Sequence, residues 1–329
     1  MNWQSSINAA LLAAQRLDGG FAYHASQRVS AEPTALAAMA LRSSGQDEAA
    51  QYALTALTRL QKADGHVAPN DKVDQPGWPT PLALLAWTLG DKDRRHFDEP
   101  ANRAVAWLLR TAGEPIPPRP DVFGHDTTIQ GWPWVAGTHS WIEPTAYAVL
   151  ALRAARLADH PRTREGVRLL LDRALPTGGW NYGNTRVFDG ILRPFPSTTG
   201  VVLTALHGEP ADSRIDAAIQ YLQGELPRIR APFSLGWGLI GLTAWNDRPA
   251  SSVSWLQECA ARWQRTNDQR ADVRLVGDPF QTAPSRASLP TPVAGRSSGS
   301  LDVVGASLLL GADQAQVWLG AVAQESNRG

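Results

Sequence analysis

Short segments that are apolar on every side recur along the chain, and they constrain its fold more than any other feature. TALAAMAL, PLALLAWTL and AYAVLAL have no polar face. A helix of that kind must be surrounded by protein. Each follows a segment that keeps Arg, Gln, Asp and Glu on one stripe and apolar residues on the other, as in INAALLAAQRL, EAAQYALTALTRLQ and PANRAVAWLLRTAG. Those amphipathic segments suit an outer layer. Between the two lies a loop rich in Gly and aromatic residues.

The pattern repeats six times at an irregular spacing of roughly 40 to 65 residues, the sixth unit running from SSVSWLQECAARWQR through a long polar stretch to SLDVVGASLLLGAD. A final segment, DQAQVWLGAVAQ, is expected to close the ring. Strand signals are almost absent. The expectation is one all-α domain over residues 1–329, an α6/α6 toroid of about six helical hairpins, with an open solenoid as the alternative. Residues 267–300 read as a flexible loop or a flap over the mouth.

Alternation of outer and inner helices places every outer-to-inner loop on one rim. Those loops are long and rich in Gly, Trp, His and Asp, whereas the returns, such as ADHP and HGEPAD, are short and plain. Long loops in a compact domain usually carry function. The decorated rim is therefore the expected mouth.

The 329 residues balance 31 Lys and Arg against 31 Asp and Glu, without a basic stripe, so nucleic-acid binding has no electrostatic footing. A single cysteine, Cys259, excludes a disulfide framework and a multi-thiolate zinc site. No secretory leader or spanning helix is read, and a cytoplasmic protein is expected. The chain holds 13 Trp against 7 Phe and 5 Tyr. A plain core would favour aliphatics and Phe, so the placement of these indoles carries information. Trp78, Trp132, Trp134, Trp141, Trp180, Tyr182, Phe195 and Trp237 fall in the decorated loops or near inner-helix starts. They are the expected substrate-binding surface, suited to cation–π attraction, to an isoprenoid chain or to sugar stacking.

Two inner helices begin alike, with Glu32-Pro-Thr and Glu143-Pro-Thr. An acid at the first turn satisfies free N–H groups and the helix dipole. It is also a candidate general acid where an apolar pocket keeps it protonated. Only the second copy has chemical neighbours, in GHDTTIQGWPWVAGTHSW, so Glu143, His139, Asp126 and His125 form the candidate catalytic set. No metal-ligand spacing appears. Asp71 and Asp74, with Lys72, Arg186 and Arg193, supply charge on the same rim. Mg²⁺ enters only if the substrate is a diphosphate, and no other cofactor is expected.

Asp18-Gly19-Gly20-Phe21, Lys62-Ala63-Asp64-Gly65, Gly178-Gly179-Trp180-Asn181-Tyr182-Gly183 and the Glu-Pro-Thr starts resemble repeats of the squalene–hopene cyclase and protein prenyltransferase β-subunit superfamily. The resemblance implies a toroid with an apolar central cavity and an isoprenoid ligand. It aligns Trp141-Ile142-Glu143-Pro144-Thr145 with the Asp-x-Asp-Asp-Thr signature of class II terpene cyclases. Glu143 takes the place of the proton-donating acid, while Trp141 and Pro144 replace its flanking acids. In that role His139 or His125 would orient or reprotonate Glu143, and the Trp set would shield the cation. Cys259 falls in an outer-helix run, the wrong layer for the zinc of a prenyltransferase.

Two alternatives stay open. One is a non-catalytic toroid that binds a lipid or a partner protein, with peripheral membrane contact also open. The other is a carbohydrate-active toroid, which needs two carboxyls across the mouth, with Glu143 and either Asp126 or Asp74 as the pair.

Overall fold

The computed structural model describes residues 2–23, 27–90, 96–187, 190–275, 302–316 and 319. Its helices alternate outer and inner: α1 (Trp3–Ala14), α2 (Ala31–Ser43), α3 (Asp47–Thr58), α4 (Thr80–Gly90), α5 (Asp98–Arg110), α6 (Ile142–Ala154), α7 (Pro161–Asp172), α8 (Pro196–Ala205), α9 (Ser213–Glu225), α10 (Pro232–Ala244), α11 (Ser252–Leu275) and α12 (Val303–Asp313). A two-residue antiparallel ladder, β1 (Arg186–Val187) with β2 (Gly190–Ile191), sits in the loop before α8.

The even-numbered helices form a closed inner ring. α2 packs on α4, α4 on α6, α6 on α8, α8 on α10, α10 on α12, and α12 returns to α2. Outer helices sit behind them, α3 against α2 and α4, and α1 against α12 and α2. This is the expected α6/α6 toroid. Closure is made by α12 against α1 and α2; DQAQVWLGAVAQ lies largely outside the described residues. α11 continues through Leu275, into the stretch expected to be a loop or flap. The remainder of that stretch, 276–300, lies outside the described residues.

Burial follows the sequence pattern. From Ala31 to Leu41, and again from Ile142 to Ala154, every residue is buried except one acid in each, Glu32 and Glu143. Outer helices bury a stripe only, such as Ala50, Ala53, Leu54 and Leu57 in α3.

The loops are held to the helices by two recurring bonds. A threonine at the start of four inner helices accepts the N–H of a residue in the preceding turn. Thr34 Oγ1 takes Phe21 N–H at 3.0 Å, Thr80 takes Val67 at 2.8 Å, Thr145 takes Trp132 at 2.9 Å and Thr199 takes Trp180 at 3.0 Å. A glutamine at the end of an outer helix clamps the glycine turn to the next outer helix. Gln15 Nε2 donates to Gly19 O at 2.9 Å and Ala49 O at 2.7 Å, and Gln61 Nε2 to Gly65 O at 3.0 Å and Pro100 O at 2.8 Å. The plain rim has its own clamp. The Glu209 carboxylate accepts from Arg153 at 2.7 Å and Arg164 at 2.6 Å.

Candidate functional site

The threonine register marks an equivalent position at the start of these four inner helices. Two positions before the bonded threonine stand Glu32, Trp78, Glu143 and Ser197. The first three are half-buried amid fully buried neighbours, so solvent reaches them although the helices behind are dry.

Glu143 Oε1 accepts a hydrogen bond from Thr198 Oγ1 at 2.7 Å. Burial pushes its carboxyl above the usual range; the Thr198 bond opposes this, and the charge of Glu32 adds to it. Glu32 accepts from the Tyr23 hydroxyl. Its carboxyl is also raised by burial, against the lowering effect of the Tyr23 bond. Burial, reinforced by Glu32, keeps the Tyr23 phenol protonated as the donor. Two acids from units one and three therefore share one field inside the ring.

Below them lies an aromatic floor. Tyr147, one turn after Glu143, is 4% exposed, and its ring centroid is 5.8 Å from that of Trp237. α6 and α10 are separated in the ring by α8, so this contact spans the interior. The Tyr147 hydroxyl is held neutral by burial and by the nearby Glu143 and Glu32. The Trp237 indole N–H is buried without a hydrogen-bond partner. At this depth the two buried rings meet in the interior.

The other aromatic candidates divide by environment. Trp78 and Trp134, both half-buried, meet edge to face at 5.1 Å. Tyr182 and Phe195 pair at 4.9 Å and are 52% and 39% exposed, forming the outer lip. Trp132 and Trp180 are 2% and 0% exposed, and their indole N–H groups donate to Leu108 O at 3.0 Å and Leu170 O at 2.7 Å. Arg162 covers the Trp132 ring at 4.3 Å. These two indoles pack repeat turns against outer helices and present no open face.

His125 and His139 are close to Glu143 in sequence but lie on another surface. The antiparallel bridge between Trp132 and Trp141 folds their loop back. Both histidines, with Trp141, line a separate pocket of about 250 Å³ that also holds Arg173. Asp126 is exposed and caps its own loop, accepting from Thr128 N–H at 2.9 Å and Thr128 Oγ1 at 2.6 Å. Asp71 pairs with Arg28 at 3.0 Å, Asp74 with Lys62 at 2.6 Å, and Arg186 donates to Pro120 O at 2.9 Å. Among the described residues no cluster of three His, Cys, Asp or Glu is arranged to hold a metal ion. Cys259 is buried in α11, in the outer layer. No described helix is long and apolar enough to cross a membrane.

Sequence reasoning passed over Tyr23, Tyr147, Thr198 and Arg173. Tyr147 had a signal, its i+4 spacing from Glu143 on one helix face. Thr198 and Arg173 had none, because only the packing of α8 and the end of α7 against α6 brings them near its start.

No protein-family model and no curated protein matches the chain. Solved structures do. The type II terpene cyclase MstE from Scytonema superposes with a TM-score of 0.53 at 16% identity, over 95% of this chain and 98% of that one. An alpha-amylase from Clostridium perfringens reaches a TM-score of 0.63 at 10% identity, over 94% and 97%. A glycosidase reaches 0.54 at 13% identity, over 96% of each chain. The chain has an all-α toroid fold, which solved terpene cyclases and glycosidases also adopt. At these identities the likeness concerns the fold alone.

Proposed function

We propose that this toroid is an acid catalyst for a hydrophobic isoprenoid, with Glu143 as the proton donor and the Tyr147–Trp237 floor as the cation-facing surface. The observation that carries this reading is a carboxyl kept above the ordinary carboxylate range one helical turn before Tyr147, whose ring packs on Trp237. A carboxyl whose proton is held more tightly than usual is suited to act as a general acid. The faces of aromatic rings stabilise the positive charge that results.

In the proposed step the Glu143 O–H adds its proton to one carbon of a substrate double bond, leaving a cation on the other. Ring closure moves the charge along the chain. Loss of a proton back to the carboxylate restores the acid, so the reaction is an isomerisation that consumes no co-reactant. Thr198 orients the carboxyl through its 2.7 Å bond. The charge of Glu32 opposes ionisation of Glu143. Trp78 and Trp134 would guide the chain into the mouth. The structural likeness to MstE, a variant of which is described in complex with geranylgeranyl dihydroxybenzoate, supports the substrate class without deciding it.

A second reading is favoured by the Glu32–Glu143 pair itself. Two carboxyls across a mouth, flanked by indole rings, also suit glycoside hydrolysis, provided they stand about 5 to 10 Å apart. The alpha-amylase and glycosidase likenesses support it. The pair differs from the one expected from sequence, since Asp126 and Asp74 are engaged elsewhere.

The test is product analysis by gas chromatography and mass spectrometry after incubation with linear polyprenoids and, in parallel, with α- and β-linked oligosaccharides. Cyclised hydrocarbon from the wild type, reduced about 10²- to 10⁴-fold in Glu143→Gln, is the expected result. Released sugar with unchanged polyprenoid would replace the first reading by the second.

A further inference from the structure

The loop GHDTTIQGWPWVAGTHSW builds a second site that the chemistry at Glu143 does not use. Its centre is Arg173, at the end of α7. This side chain is 5% exposed. Its Nη1 donates to Ser140 O at 2.7 Å, while its Nε is buried with no hydrogen-bond partner. Among the described residues no carboxylate forms an ion pair with it. A buried guanidinium normally faces an anion, because an uncompensated charge in a dry site is costly. Burial brings its pKa down to about 10, only partly offset by the more distant Asp172 and Asp126.

Arg173 lines the 250 Å³ pocket together with His125, His139, Asn184, Phe123 and Trp141. The His139 and Trp141 rings lie 4.7 Å apart, and those of Phe123 and His125 5.8 Å apart. The pocket therefore combines N–H donors with flat apolar rings. The volume is below the roughly 300 to 1,000 Å³ of pockets for drug-sized ligands. It suits one ring with a polar substituent rather than a polyprenyl chain.

We propose that this pocket binds the carboxylate of a small ring-bearing organic anion, gripped by Arg173 and flanked by His125 and His139. A monoanion fits better than a phosphate. Burial and the Arg173 charge bring His125 down to about 4 and lower His139 as well, so both are neutral donors at pH 7. Glu114 lines the same pocket. Glu114 is exposed and is not among the charges that act on Arg173, yet its carboxylate repels a dianion more than a monoanion, so a single negative charge matches the one guanidinium. The assignment does not depend on turnover at Glu143.

Sodium benzoate is the probe, with benzyl alcohol and inorganic phosphate as controls, titrated into the full chain by calorimetry and by NMR of the histidine ring protons. Saturable benzoate binding, at least tenfold tighter than benzyl alcohol and phosphate, is expected. The His125 titration midpoint should move upward as the anion arrives. Arg173→Gln should weaken benzoate binding at least tenfold. Because Arg173 also holds the Ser140 carbonyl, the His125 and His139 shifts in the wild type locate the site without a variant. Absent saturation, equal binding of the neutral alcohol, tighter binding of phosphate, or binding that leaves both histidine signals unmoved would each overturn the proposal.

Discussion

At the residue scale the two Glu-Pro-Thr sequences separate into a structural part and a chemical part. The threonine is structural. Thr145 accepts the Trp132 N–H at 2.9 Å and donates to Trp141 O at 2.6 Å. Thr145→Val leaves that buried N–H unpaired and should cost about 1–3 kcal/mol in urea unfolding. The glutamate is the residue left open to the mouth. Its raised pKa means that burial favours the neutral form, so stability from this group is complete below the ordinary carboxylate range and is lost as pH rises through the raised value. Glu143→Gln should therefore unfold no more easily than wild type at neutral pH. The difference between the two should vanish in acid, as followed by circular dichroism across pH. If Glu143 is the donor, activity falls as pH rises through its pKa. Glu32→Gln removes a charge that raises that pKa and should move the basic limb of the pH–rate profile to lower pH. The motif itself was legible in the sequence. The coupling of its two copies was not, because only the packing of α2, α4 and α6 brings Glu32 and Glu143 into one field.

At the element scale, the alternation of amphipathic and all-apolar segments was legible because each layer has its own periodicity. The glycine turns were legible as resemblance, and the structure supplies their cause. Gly65 has φ +98°, and a Cβ there would stand 2.3 Å from Arg103 O on the next outer helix. Gly65→Ala combines left-handed strain with a backbone clash and should destabilise by about 1–3 kcal/mol or more, read as a lower thermal midpoint. The indoles were harder to sort. Trp180 and Trp237 look alike in the sequence, yet one donates its N–H to Leu170 O and the other leaves it unpaired beside Tyr147. Only the direction in which each side chain leaves its turn or helix separates them. His125 and His139 were grouped with Glu143 by proximity in the chain. The Trp132–Trp141 bridge turns their loop away, towards Arg173.

At the scale of the whole molecule, closure distinguishes a toroid from a solenoid. α12 touches α10 on one side and α1 and α2 on the other. Removing residues 302–329 should abolish a single cooperative transition, whereas a solenoid would lose only one repeat's share of stability. An unchanged midpoint in the truncated chain would argue against closure as the stabilising feature. Closure also makes the mouth, by bringing acids from the first and third units over a floor supplied by the third and fifth. The central claim is that this mouth receives an apolar isoprenoid. The most direct measurement is solvent extraction of the purified full chain followed by untargeted mass spectrometry of what it carries. A polyprenyl or cyclised terpenoid species, depleted when Trp237→Ala opens the floor, is the expected result. A bound glycan, or an extract unchanged by that substitution, would contradict it.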